Sequence, residues 1–221
     1  ARPMMEVLRA LVSDTGATEV RVQAPDEWRL DEMFREAMNT WPETLGVSVS
    51  MDDTEHFLTG RTDLADHFKG KKQYLMESFY RMMRKRHDVL LDGAGQPEGG
   101  KWNYDANNRK KLPKGHVPPV PRLWERDATS LLSDLEKAGV ETVVSVDAAH
   151  FGWPVTQDES HELLDIFVEE LLPRFGDFQD ALTEDSWTVY HSRLSFAMNV
   201  KMLHPREVIE AVERKWRTAP D

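Results

Sequence analysis

Apolar residues recur at helical spacing through Met4, Val7, Leu8 and Leu11, and Asp14-Thr15-Gly16 closes that run, which predicts a first helix. Val20-Arg21-Val22 then alternates like a short strand. Asp26 stands as an N-cap before a helix through Trp28, Leu30, Met33, Phe34, Ala37, Met38 and Trp41, with Pro42 as its stop. Gly46 opens a second alternating run from Val47 to Met51. Helix, strand, helix, strand in this order predicts an α/β arrangement with parallel strands joined by a crossover. Two parallel strands leave both sheet edges unpaired, so the pattern predicts further strands before residue 1 and a truncated amino terminus.

Leu64, Phe68, Tyr74, Leu75, Phe79, Tyr80, Met82 and Met83 predict a long helical stretch from Thr62 to His87. Asp92 to Pro121 has no periodicity, is rich in Gly and ends in clustered prolines, and so reads as a connection between domains. An amphipathic helix follows around Leu131 to Ala138, then a β-branched run from Val140 to Val146. Thr156 caps a helix through Leu163, Leu164, Ile166, Phe167, Leu171 and Leu172 that Pro173 stops. His204-Pro205-Arg206-Glu207 opens the last helix through Val208, Ile209, Val212 and Trp216. The carboxy-terminal third therefore reads as all-α, without internal repeats.

Charge changes this picture in one place. The 221 residues carry a formal net charge of -11, which disfavours nucleic acid and anionic membrane as partners of the whole surface. Residues 69 to 114, however, hold twelve Lys or Arg and five Asp or Glu, a local excess of +7 with Tyr74, Tyr80, Trp102 and Tyr104 interleaved. Such a segment can follow a nucleic-acid backbone and stack bases, or it can be a solvated face that pairs with the acidic remainder. The absence of cysteine excludes disulfides, thiolate nucleophiles and iron-sulfur or zinc-thiolate ligands within these residues. No run approaches the roughly 18 to 20 apolar residues that span a bilayer, and the first residues have no signal-peptide pattern, so no membrane partner and a cytoplasmic location are expected. Oligomeric state is open.

Tyr190-His191-Ser192-Arg193-Leu194-Ser195 falls where a helix is predicted to begin. Two hydroxyls three residues apart, outward amides and the Arg193 charge would form a phosphate pocket there; alternatively Ser192 only caps a helix that packs through Leu194, Met198 and Met202. Gly93-Ala94-Gly95-Gln96-Pro97-Glu98-Gly99 lacks the strand before and helix after that a dinucleotide loop needs, and reads as a turn. The histidines are scattered without metal-binding pairs, so no metal site is expected; Asp52-Asp53 and Glu169-Glu170 point apart, and no serine has nucleophile-elbow context. No catalytic residue is assigned.

Gly99-Gly100-Lys101-Trp102-Asn103-Tyr104-Asp105-Ala106-Asn107-Asn108-Arg109-Lys110 resembles a motif of the photolyase/cryptochrome family, in its prokaryotic (6-4) photolyase and iron-sulfur bacterial cryptochrome branch. Three further stretches resemble the same family in the same order: Gly70 to Arg81, Leu172 to Ala181, and His191 to Ser195 continuing to His204-Pro205-Arg206-Glu207. The resemblance implies an internal fragment, α/β then all-α. Residues 1–90 would be the second half of a Rossmann-like antenna domain, 91–155 an interdomain linker with one helix, and 156–221 the first helices of a helical FAD-binding domain.

The resemblance further implies a light-dependent lyase in which reduced FAD passes an electron to a (6-4) photoproduct in damaged DNA. A cryptochrome-type blue-light photoreceptor, or a cofactor-free structural or interaction module, are the alternatives. The cofactor-binding residues it implies are His191, Ser192, Arg193, Leu194 and Ser195 at the FAD diphosphate, and Phe178 beside the flavin, where relatives commonly carry tyrosine. His191 and Phe196 depart from the hydroxyl residue and the proline often found at those places. An iron-sulfur cluster and a ribityl lumazine antenna are implied with ligands outside this chain. Damaged DNA is the implied partner, through the basic segment 69–114. The isolated piece is expected to be inactive and to bind FAD weakly or not at all.

Overall fold

The computed structural model describes residues 3–143 and 145–219. The chain divides near Asp63 into two compact units, residues 3–63 and 64–219.

In the first unit, helix α1 (Met4–Thr15) ends where Gly16 turns left-handed at φ 66°. Strand β1 (Glu19–Gln23) follows, then α2 (Trp28–Leu45) and β2 (Ser48–Asp52). The strands pair in parallel from Glu19 opposite Ser48 to Gln23 opposite Asp52, with α2 as the crossover, as the alternating pattern predicts. Among the described residues the sheet has these two strands alone. Val12, Val20, Ala37, Trp41, Val47 and Val49 form the core between α1, α2 and the sheet.

The ends of α2 differ from expectation. Glu27, not Asp26, is the N-cap: its carboxylate accepts from Leu30 N at 3.0 Å and from Arg29 Nε at 2.6 Å. Pro42 lies inside the helix, which runs on to Gly46. Burial of Trp41 keeps the last turn docked despite the hydrogen bond that proline cannot make. Buried Asp31 accepts from Arg35 Nε (2.6 Å) and Arg61 Nη1 (2.5 Å), fixing the loop after β2 to the first turn of α2.

In the second unit, the predicted long helix from Thr62 is two helices, α3 (Asp63–Phe68) and α4 (Met76–His87), because Gly70 takes φ 75° and the chain turns between them. Residues 92–121 are irregular apart from one helical turn at Asp105–Asn107. Helix α5 (Thr129–Lys137) matches its prediction. The β-branched run from Val140 forms no strand among the described residues, and Val143 is fully exposed; Val144 lies outside them. A β-rich run with no partner strand has no ladder to join.

Helix α6 (Gln157–Ile166) starts with a full capping box, Thr156 Oγ1 accepting from Glu159 N and Glu159 Oε2 accepting from Thr156 N. Pro173 does not stop the helical run. A π-helical stretch, Phe167–Leu171, leads into α7 (Leu172–Phe178), with Leu172 N donating back to Phe167 O. The widened turn opens room before Pro173, whose ring would otherwise meet a carbonyl of the preceding turn. Helix α8 (Ser195–Asn199) and α9 (Pro205–Thr218), the latter capped by His204 with Glu207, complete the unit. Its core joins Leu163, Leu164, Phe167, Val168, Leu194, Ala197, Leu203 and Ala211.

Candidate functional site

Three apolar anchors position the stretch 190–195: Tyr190 (3% exposed), Leu194 (2%) and Ala197 (0%). Between the first two the chain is extended or turned, and no helix starts at 190; α8 begins only at Ser195. The expected first turn carrying both hydroxyls is therefore absent. Arg193 adopts φ 57°, a left-handed conformation that costs a non-glycine residue about 1 kcal/mol, held because Leu194 must turn into the core. Ser192 Oγ accepts from Leu194 N at 3.4 Å, which caps a local turn, and Ser195 and His191 are exposed.

The Arg193 guanidinium does not face open space. Its Nη2 donates to the Arg122 carbonyl at 2.7 Å, and its centre lies 5.5 Å from the Trp187 ring and 5.9 Å from the Trp153 ring. Burial against these groups lowers the pKa of the guanidinium from its ordinary value. His191 and Arg193, with Pro119, Pro121, Arg122 and Glu170, line a cavity of about 20 Å³. That is room for about one water molecule, not for a diphosphate. The donor types suit FAD, but as folded the stretch does not accommodate it.

Phe178, at the end of α7, stacks on Tyr190 at 5.6 Å and on His116 at 6.0 Å. Tyr190 Oη lies 2.9 Å from His116 Nε2 and accepts from Arg174 Nη1 at 3.4 Å. The structure thus brings Phe178 next to the residue before His191, while Arg193 reaches away toward Trp187 and Trp153. Leu194 is a core residue.

The long irregular segment explains this enclosure. It crosses the helices as a strap, pinned by Lys110 N to Asp177 O (3.1 Å), Asp180 N to Asn108 O (3.3 Å), His116 to Tyr190, and Arg122 O to Arg193. Farther on it pairs antiparallel with residues 148–152, through Trp124 N to Gly152 O (3.2 Å), Phe151 N to Arg126 O (3.0 Å) and Ala128 N to Ala148 O (2.7 Å). Arg126 Nη2 then bonds Glu159 Oε1 at 2.5 Å, tying the strap to the first turn of α6. Sequence patterns missed His116, Trp153, Trp187 and the Arg122 carbonyl as neighbours of this stretch, since contacts made across long separations leave no spacing to read.

Part of the basic segment pairs with acids of the same unit, Lys110 with Asp177 at 2.7 Å and Arg109 with Asp180 at 3.6 Å. Lys111 and Lys114 have no ion-pair partner among the described residues, and with His116 and Thr183 they line an open pocket of about 500 Å³. No group of His, Asp or Glu side chains that could hold a metal occurs among the described residues. No described helix is long and apolar enough to cross a membrane.

The profile of the family described as deoxyribodipyrimidine photo-lyase-related protein matches residues 1–151. The chain is similar to a (6-4) photolyase of Agrobacterium fabrum, with 30% identity over 213 residues, 96% of this chain and 40% of that protein. It is also similar to an uncharacterized protein of Acanthamoeba polyphaga mimivirus, 28% identical over 102 residues, 44% of this chain and 50% of that protein. The chain therefore spans half or less of the length of these curated relatives.

Proposed function

The chain belongs to the deoxyribodipyrimidine photo-lyase-related protein family, and from that premise we propose that it is part of a photolyase-like protein acting on damaged DNA. The observation that carries the proposal is the similarity to a (6-4) photolyase along 96% of this chain. Residues 1–90 are assigned to an α/β antenna domain, 91–155 to a linker, and 156–221 to the start of a FAD-binding domain. The chemistry that FAD supplies when bound is light-driven electron transfer to a (6-4) photoproduct. The basic segment 69–114, in which Lys111 and Lys114 have no ion-pair partner among the described residues, is the proposed contact with the DNA backbone.

The role of the chain's own residues is binding and exclusion of water. Phe178, backed by buried Tyr190, offers an apolar wall, and Ser192, Arg193 and Ser195 carry donors for a diphosphate. For Arg193 to serve in that way, residues 119–122 must leave its guanidinium. The isolated chain in its present fold therefore binds FAD weakly or not at all. The 20 Å³ left beside Arg193 favours, for the chain alone, the second reading of a cofactor-free module.

The test is flavin absorbance and blue-light repair of a (6-4)-containing duplex, measured on this chain and on the full-length polypeptide that carries it. Bound flavin and repair in the longer protein, with neither in the chain, are the expected results. A flavin-free longer protein without repair activity overturns the proposal.

A further inference from the structure

A cleft of about 780 Å³ opens between α4, the loop 98–105 and the end of α9. Four aromatic side chains wall it, Tyr80, Trp102, Tyr104 and Trp216, and Met76 and Leu90 add to the lining. Its volume lies within the roughly 300 to 1,000 Å³ of small-ligand sites, and it is lined as such sites are, by aromatic and apolar groups with a few polar ones.

Built-in contacts hold the walls. Tyr104 Oη donates to Gly99 O at 2.7 Å, and Trp216 Nε1 donates to Glu98 Oε2 at 3.1 Å. Buried Arg84 donates to the carbonyls of Val89 (3.1 Å) and Leu90 (2.5 Å). Trp102 lies against three cations of α4, with Arg81 and Arg84 at 5.3 Å and Lys85 at 5.4 Å from its ring. Positions 81, 84 and 85 share one side of the helix, so they address the ring from one side.

The charges around the cleft are unevenly matched. Glu77 is bound by Arg81, and Glu98 by Trp216 and Arg217. Lys85 and Lys101 have no carboxylate partner among the described residues, and Lys101 stands 5.8 Å over the Tyr104 ring. Asp105 is the lining carboxylate without a cation among those residues. What remains unsatisfied is an aromatic wall with ammonium groups beside it, the combination that takes a flat ring carrying an anionic arm. Cations on one side of Trp102 draw its π density toward the helix, so the other side stacks best on an electron-rich ring.

We infer that this cleft receives one unstacked purine nucleotide of a nucleic-acid strand. Its base lies among Tyr80, Trp102 and Trp216, and its phosphate lies at Lys85 and Lys101. The inference rests on the proposed contact of the basic segment with DNA, and adds a base-holding pocket to what is otherwise backbone attraction.

Calorimetric titration of the chain with GMP, with ribose 5-phosphate, and with a single-stranded oligonucleotide tests it. GMP and the oligonucleotide are expected to bind and ribose 5-phosphate to bind far more weakly. Trp102→Ala is expected to weaken GMP binding about 5- to 150-fold, the range for loss of one base-aromatic stack, while Trp102→Phe retains most of it. Tyr80→Leu, at a half-exposed position that keeps the fold, is expected to weaken it in the same direction, so a misfolded Trp102→Ala does not end the test. Equal GMP affinity in wild type and Tyr80→Leu, or ribose 5-phosphate binding as tightly as GMP, overturns the cleft. Oligonucleotide binding without GMP binding overturns it while leaving the backbone contact intact, and GMP binding without oligonucleotide binding overturns the strand as occupant.

Discussion

Gly99→Ala and Gly100→Ala form a matched pair whose difference measures how tightly the 98–105 loop is built. Both glycines are left-handed, at φ 77° and 76°, so each alanine incurs the same conformational penalty, about 1 kcal/mol. Their surroundings differ. A Cβ on Gly100 meets nothing within 4 Å, whereas one on Gly99 would sit 2.7 Å from Tyr104 Oη and 3.9 Å from the Trp216 ring. The Tyr104 ring can swing away, but it then loses its hydrogen bond to Gly99 O, worth about 1 kcal/mol, along with packing against the loop. Gly99→Ala is therefore expected to cost about 2 to 3 kcal/mol and Gly100→Ala about 1 kcal/mol.

The loop is not free to relax, because Glu98 N donates to Leu90 O at 2.9 Å and the Glu98 carboxylate holds Trp216 and Arg217 of α9. The loss should thus reach global stability and appear as a lower urea midpoint at unchanged m. Tyr104→Phe removes the hydroxyl that the Gly99→Ala methyl would strike, so in that background the ring can return and the packing part of the loss should be regained while the hydrogen bond is not; in the wild-type background it should cost about 1 kcal/mol. Equal urea midpoints for Gly99→Ala and Gly100→Ala would refute the reasoning.

Four further outcomes are expected. Leu163→Ala, at a position 1% exposed in the helical core, should destabilise the second unit by about 2 to 5 kcal/mol in thermal or urea unfolding, and Thr156→Ala, which opens the capping box of α6, by about 1 kcal/mol. Arg126, then the backbone N–H of Val155, hold the Glu159 carboxyl below its ordinary 4.5; its contribution is complete above that value and is lost as pH falls through the depressed one, so urea midpoints should drop on acidification below about pH 4.5 and drop less steeply in Glu159→Gln. Arg193→Ala releases the Arg122 carbonyl, so amide exchange at Val120, Arg122, Leu123 and Trp124 should speed up about tenfold, the equivalent of about 1.4 kcal/mol, while exchange in α6 stays unchanged.

Elements with their own local reasons were legible in the sequence. Gly16 ends a helix, Thr156 starts one, and alternation around Val20 and Val49 gives a parallel pair. The errors fall where neighbours overrule local preference. Pro42 and Pro173 both read as stops, yet burial of Trp41 in one case and a widened turn in the other carry the helix past them. Residues 69–75 looked helical by spacing, but Gly70 bends the chain so that Phe68, Tyr74 and Phe79 cluster. At 190–195 the residue types were evident and their arrangement was not. Helical spacing would have set both serines on one turn, but anchoring Tyr190 and Leu194 in the interior leaves no length for that turn, and Arg193 is spun left-handed toward two tryptophans.

The widened turn at Phe167–Leu171 also makes the chain length between Thr156 and Phe178 a quantity that cannot drift by one. It holds one residue more than ordinary helical geometry would use, and each helical residue turns the axis by about 100°. Deleting a residue of that turn would press the Pro173 ring on a carbonyl of the preceding turn and rotate Leu172 and Phe175 out of the interior they now fill. Homologous sequences that keep this interior should therefore carry insertions or deletions before Thr156 or after Phe178, and none between.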